Sequence, residues 1–291
     1  MSGMFRARVV RADGRANVPT RSADPWADTS PIERAYTALH ALNANWNVEI
    51  GRPCGAGWIQ GEDFRDARRS PFNDLLVRIG DRAGTTDRRT VAASFALRLG
   101  WASAMAIAPY LKYDCVPDIG LDNVAFKFKE STFFERTAIY QPRGTMGDRE
   151  ALLRTLRDAL VAQATPVVDA LYQWSGFARR GTWGMLTSSW ASQFTGLCDT
   201  PDDQRSMLPV IEAFFQGDDD AARMQPRMHP VTCGTVTHLY QRRASCCRYY
   251  LLPQGDLCAS CPLVSHETRL RMNIEWMQTQ LERRVKAGGH A

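Results

Sequence analysis

Arg242-Arg243-Ala244-Ser245-Cys246-Cys247-Arg248-Tyr249-Tyr250 runs through Leu251-Leu252-Pro253-Gln254-Gly255-Asp256-Leu257 into Cys258-Ala259-Ser260-Cys261-Pro262-Leu263. The rest of the chain is read from this stretch. Four cysteines in so short a span can close around one metal centre. The pattern Cys-Cys-x10-Cys-x2-Cys matches neither the plant-type nor the bacterial ferredoxin spacing. Adjacent cysteines are also rare in zinc-finger sites. Pro253 and Gly255 mark a turn between the two pairs, so the chain can fold back and bring them together. Ala259 and Ser260 are small enough to leave the Cys-x2-Cys turn open. Pro262 has no N–H and stiffens the exit.

Two other readings use the same residues. A structural zinc site needs four thiolates of this kind. A vicinal disulfide at Cys246–Cys247 would be strained and would leave Cys258 and Cys261 without a role. Side chains of adjacent cysteines diverge, and their order along the chain does not assign them to individual irons.

The segment resembles the C-terminal iron–sulfur motif of the FhuF-type ferric-siderophore reductases. The basic run before the paired cysteines and the Cys-x2-Cys-Pro ending carry the likeness, which is sharp in this segment and loose upstream. It implies a [2Fe–2S] cluster held by Cys246, Cys247, Cys258 and Cys261. It implies one-electron reduction of iron(III) in a siderophore, chiefly a hydroxamate, in the bacterial cytoplasm. The upstream region would then supply the chelate pocket. Arg242, Arg243 and Arg248 flank the cysteines. Positive charge there would raise the reduction potential or contact an anionic donor or chelate; as ordinary solvated arginines they would do neither. No flavin-binding signal is visible, so a separate donor is expected: a ferredoxin, a flavodoxin, a flavin reductase or a small reductant. The rival classes are an electron carrier without its own chelate substrate, a zinc-stabilised binding module, and a siderophore-biosynthesis enzyme, for which no phosphate-binding loop is evident.

At 291 residues, with 44% apolar and 23% charged, the chain can fill one large domain or two modest ones. Of its eight cysteines, Cys54, Cys115, Cys198 and Cys233 are scattered and read as buried small apolar residues. His40, His229, His238, His266 and His290 show no ligand spacing. The net charge of +5 comes from arginine far more than lysine. No basic run is interleaved with aromatics, so nucleic acid is not an expected partner. A mildly basic surface suits an acidic electron donor or peripheral contact with anionic lipid at the inner membrane. The arginine-bearing N-terminus has no apolar core of a signal peptide, and a cytoplasmic location is expected.

The expected fold is α+β and predominantly helical. A helical main domain carries a small antiparallel hairpin or sheet, and a small C-terminal iron–sulfur module follows. The expected division is a mobile tail over 1–24 with a short strand over 4–10, a helix-rich domain over 25–230 holding the chelate pocket, and the module over 231–291. Ser30-Pro31-Ile32-Glu33 signals a helix start, with Ile32, Tyr36, Leu39, Leu42 and Trp46 on its buried face. Helices are expected over 72–79, 91–109, 148–172 with a break or kink at Pro166, and 201–215. Residues 123–129 and 133–140 read as paired strands with a turn at 130–132. Trp183, Leu186, Trp190 and Phe194 form a core stripe at helical spacing. Residues 217–230 read as a linker. Ser265 caps a last helix with Ile274, Met277, Leu281 and Val285 on its apolar face. The glycines at 55, 57 and 61 are not a dinucleotide loop, because their spacing is wrong.

Overall fold

The computed structural model describes residues 29–42, 48–198 and 200–288. The expected tail and strand within 1–24, Trp46 and His290 lie outside the described residues, as does the side chain of Val285. The fold is predominantly helical α+β, as expected.

The first helix, α1 (Pro31–Leu42), starts where Ser30 Oγ accepts the Glu33 N–H at 3.1 Å. It buries Ile32, Tyr36 and Leu39. Leu42, expected on the same face, is exposed because the helix ends there. The strands β1 (Val48–Ile50) and β2 (Trp58–Gln60) follow, and both were missed. Three residues give no readable alternation. They flank the expected hairpin of β4 (Val124–Phe128) and β5 (Phe134–Ile139) in a sheet ordered β1-β5-β4-β2. The β4–β5 and β2–β4 pairs are antiparallel, whereas β1–β5 is parallel. Phe64, Phe72, Phe95 and Phe126 interlock beneath this sheet with ring centroids 4.8–5.5 Å apart.

After α2 (Phe72–Ala83), the single apolar helix expected over 91–109 is two helices: α3 (Arg88–Ala102) and α4 (Ala104–Tyr113). Ser103 separates them, and its Oγ donates to Gly100 O at 2.7 Å. Pro109 lies inside α4 and cannot donate to Met105 O. That carbonyl instead accepts the Tyr36 hydroxyl at 2.5 Å, so the proline is tolerated without an orphaned acceptor. Arg88–Tyr113 is long and apolar enough to cross a membrane, but 72% of its apolar window is buried against the rest of the protein.

The short pair β3 (Cys115–Pro117) and β6 (Gly144–Met146) leads to α5 (Arg149–Ser175). Asp148 Oδ1 caps α5 by accepting from the N–H groups of Glu150 and Ala151. No break occurs at Pro166. The buried face of Leu156, Leu160, Val167 and Leu171 holds the helix together across the missing hydrogen bond. The helix α6 (Arg179–Gly196) crosses the middle of the core with Trp183, Leu186, Trp190 and Phe194 buried, as the stripe predicts. It meets α3 where Gly100 faces Ser189. A Cβ at position 100 would lie 2.4 Å from Ser189 Cβ, so glycine sets this helix spacing. The helix α7 (Pro201–Phe214) begins in a capping box between Thr200 and Asp203.

Residues 217–230 are not a structureless linker. They contain the one-turn helix α8 (Asp220–Arg223) and the start of β7 (Arg227–Cys233), which pairs antiparallel with β8 (Val236–Arg242). Pro230 obscured the strand in the sequence. The last helix, α9 (His266–Gly288), is capped by Ser265 Oγ, which accepts the Thr268 N–H at 3.1 Å. Met277 is its buried apolar anchor.

Candidate metal centre

The β7–β8 hairpin delivers the cysteine segment. Leu239 packs into the main core, and Gln241 Nε2 donates to Ser192 Oγ on α6 at 2.5 Å. Strand β8 ends at Arg242, so the cysteines emerge from a fixed edge. Arg243 N donates to Ser260 O at 2.9 Å, which ties the chain before the first cysteine pair to the turn of the second. Ser245 Oγ donates to Gly181 O at 2.7 Å. A Cβ at Gly184 would lie 2.5 Å from that Ser245 Oγ, so α6 presents a glycine surface on which the segment docks.

Arg248 takes a left-handed conformation, φ +61°, immediately after the adjacent cysteines. Its N–H points at Cys246 Sγ, 3.3 Å away, while its side chain leaves for α3. There Nη2 donates to Asp87 Oδ2 at 2.9 Å and Nε to Thr90 Oγ1 at 3.1 Å. Arg248 is therefore a tether between the cysteine loop and the N-terminus of α3. The loop then makes one 3-10 turn over Tyr249–Leu251. It reverses at Gly255, where a Cβ would stand 1.8 Å from Tyr249 O. Cys261 N donates to Cys258 O at 2.9 Å and closes the Cys-x2-Cys turn.

Folding brings the thiols near one another: Cys246 interacts with the Cys261 and Cys247 thiols, while Cys247 and Cys258 both interact with the Arg243 guanidinium. Among the described residues, no set of three or more His, Cys, Asp or Glu side chains converges as a single metal ion needs. A mononuclear zinc site calls for four ligands around one point. A two-iron centre would take two thiolates per iron.

The surrounding charge fits an anionic centre. Arg243 is only 8% exposed, and its Nη2 donates to Cys258 Sγ at 2.6 Å. Burial alone would raise the Cys258 thiol, but the Arg243 charge and hydrogen bonds from Ser260 and Arg243 outweigh it and hold the thiol below its ordinary value. Burial dominates at Cys246 and pushes its thiol up. Arg242 Nη2 donates to Pro262 O at 3.0 Å. Arg269, which the sequence reading passed over, donates through Nη2 to Cys261 O and Val264 O at 2.9 and 2.7 Å. Arg242 Nε, Arg243 Nη1 and Arg269 Nε are buried without a hydrogen-bond partner. None of the three arginines forms an ion pair with a carboxylate among the described residues. Unpaired buried cations are costly, and a cluster held by four thiolates would supply the missing negative charge. The residues present thus fit a [2Fe–2S] centre.

A groove of about 520 Å³ opens directly onto the second cysteine pair. It is lined by Cys258, Ala259 and Ser260 and by Met272, Asn273 and Trp276 of α9. Ser192, Met228 and Tyr240 also line it, and apart from Cys258 every lining side chain is uncharged. Asn273 Nδ2 lies 3.3 Å from His229 Nε2, so α9 is fastened to β7 beside the groove. Sequence reasoning missed this groove because its lining comes from five separated elements.

The remaining cysteines stand apart. Cys115 is buried, and burial followed by the nearby Asp114 charge pushes its thiol up to about 11. Cys198 and Cys233 are half-buried. Cys54 is exposed rather than buried, because it sits in a loop bent by Gly51, Gly55 and Gly57 at positive φ.

Residues 243–263 match the family model of the FhuF 2Fe-2S C-terminal domain. No curated protein matches the chain.

Proposed function

The segment that matches the FhuF 2Fe-2S C-terminal domain indicates a [2Fe–2S] cluster, and we propose that the protein uses it to reduce ferric iron held in a siderophore chelate. The observation that carries this reading is the uncharged groove beside Cys258. When bound, the cluster supplies single electrons, the number needed to convert iron(III) to iron(II). The chain's own residues hold the chelate within reach. Met272, Trp276 and Met228 offer apolar surface, while Asn273, Ser260 and Tyr240 offer hydrogen bonds. A ferric ion bound by three hydroxamates has no net charge at its centre, whereas three catecholates leave three negative charges. Apart from Cys258 the groove has no charged side chain and so favours the neutral chelate, since no cation in it would compensate a desolvated anion.

Electron balance requires one electron in and one out. A separate one-electron donor reduces the protein, and the chelated iron(III) accepts the electron. The hard oxygen ligands hold iron(II) less tightly, and the metal is released or trapped. The donor would be a ferredoxin, a flavodoxin, a flavin reductase or a small reductant. A cytoplasmic setting, where thiols stay reduced, supports the chemistry. The net charge of +5 is compatible with peripheral contact at the inner membrane. The test is anaerobic mixing of reduced protein with neutral and anionic ferric chelates. Reoxidation by the neutral class supports the reading, and indifference to every ferric chelate favours a carrier without its own substrate.

A further inference from the structure

Arg269 lies in the first turn of α9 and is only 4% exposed. Its guanidinium reaches back across the end of the cysteine segment. One nitrogen, Nη2, bridges Cys261 O at 2.9 Å and Val264 O at 2.7 Å. These are the carbonyls at and just beyond the last cysteine. The turn they belong to is closed by the Cys261 N–H on Cys258 O. Arg269 therefore holds from outside the turn that carries Cys258 and Cys261.

The same side chain contributes charge. Its Nε is buried and unpartnered, like Arg243 Nη1 and Arg242 Nε. Among the described residues no carboxylate neutralises any of the three. Arg242 Nη2 donates to Pro262 O at 3.0 Å, so the three guanidinium groups gather around one segment. Such crowding is unfavourable without an anion at its centre. Arg243 touches that centre through Cys258 Sγ. Arg269 touches only the backbone that presents the sulfurs.

Position along α9 adds a second consequence. Arg269, Met272, Asn273 and Trp276 fall at i, i+3, i+4 and i+7, which is one helix face. The latter three line the groove together with Ala259 and Ser260. One anchor thus fixes both the cysteine turn and the groove wall.

We propose that Arg269 is a positioning residue for the iron–sulfur centre: it braces the Cys258–Cys261 turn through two carbonyls and, together with Arg243, provides the positive charge that sets the reduction potential. This rests on the cluster and not on the identity of the electron acceptor.

Full-length Arg269→Gln and Arg269→Lys proteins, purified anaerobically, test it. An EPR-monitored redox titration reads the potential, and bleaching by an iron chelator reads cluster retention. R269Q removes the charge and should shift the midpoint to lower potential. R269K keeps the charge but loses the planar fork. Its midpoint should stay near the native one. Both variants should lose iron several-fold faster than native protein. If R269Q cannot hold a cluster at all, the brace is borne out, and R269K then carries the comparison of potential. A native midpoint in loaded R269Q overturns the charge role, and native iron loss in R269K overturns the brace. Neither readout uses a ferric chelate, so failure of the reductase reading would leave these results standing on their own.

Discussion

Arg243 donates to Cys258 Sγ at 2.6 Å from a side chain that is 8% exposed. Its backbone N–H donates to Ser260 O in the same turn. One residue therefore joins the two cysteine pairs through both its backbone and its charge. A hydrogen bond involving an ionised group is worth about 1.5–3 kcal/mol. Replacing Arg243 by Gln should weaken cluster retention, lower the reduction potential and leave the backbone tie in place. Arg243→Lys should fall between the two. A redox titration of R243Q with a native midpoint would contradict this role.

The docking of the cysteine segment on α6 depends on an absent side chain. A Cβ at Gly184 would meet Ser245 Oγ at 2.5 Å. Gly184→Ala should push the segment outward at a cost of about 1–3 kcal/mol. The helix itself should be unharmed, because alanine is the better helix former. The expected signature is a lower unfolding temperature with less iron retained after gel filtration. Full iron content at native stability would show that the segment is not seated on that glycine.

The tether from Arg248 to Asp87 gives a pH dependence. Burial alone would raise the Asp87 carboxyl, but hydrogen bonds from Thr90 and Arg248 outweigh it and hold it below the usual carboxylate range. A carboxyl with a depressed folded pKa stabilises the fold above its unfolded value of about 3.9. That contribution fades as pH falls through the folded value. Asp87→Asn should therefore be less stable than native protein at neutral pH. The difference should shrink on acidification below about pH 4. Thermal unfolding of the two apoproteins across that range measures it, and a difference that does not change with pH would rule out the carboxylate.

The sequence made the iron–sulfur segment legible because four cysteines lie within one short span and their spacing is chemical information. The larger helices and the β4–β5 hairpin were legible for a related reason, since their burial repeats over enough residues to show a period. The three-residue strands β1 and β2 have no such period, and Pro230 hid β7. Pro166 illustrates the opposite error: local chemistry predicts a break, yet a long buried face carries the helix past it. At Pro109 a distant Tyr36 hydroxyl satisfies the carbonyl that the proline leaves free. Arg269 was hidden by its ordinary position on an amphipathic helix, where nothing local distinguishes a buried guanidinium from a solvated one.

The groove can be separated from the cluster by mutation. Trp276 is 56% exposed and lines the groove from α9. Trp276→Glu places a carboxylate against the bound chelate without touching a cysteine. The visible spectrum should remain native, while the apparent affinity for a neutral ferric chelate should fall about tenfold, corresponding to roughly 1.4 kcal/mol. Unchanged chelate kinetics would move the binding site elsewhere.

The central claim is that an electron stored at Cys246, Cys247, Cys258 and Cys261 passes to ferric iron held beside them. Anaerobic stopped-flow mixing of the dithionite-reduced protein, freed of excess reductant, with a ferric trihydroxamate and an iron(II) trap tests it most directly. The account predicts recovery of the oxidised [2Fe–2S] absorption with one trapped iron(II) per cluster reoxidised. Cys258→Ser should abolish both signals, whereas Cys115→Ser should keep them. A reduced cluster that stays bleached in the presence of neutral and anionic ferric chelates alike, with no iron(II) trapped, would contradict it.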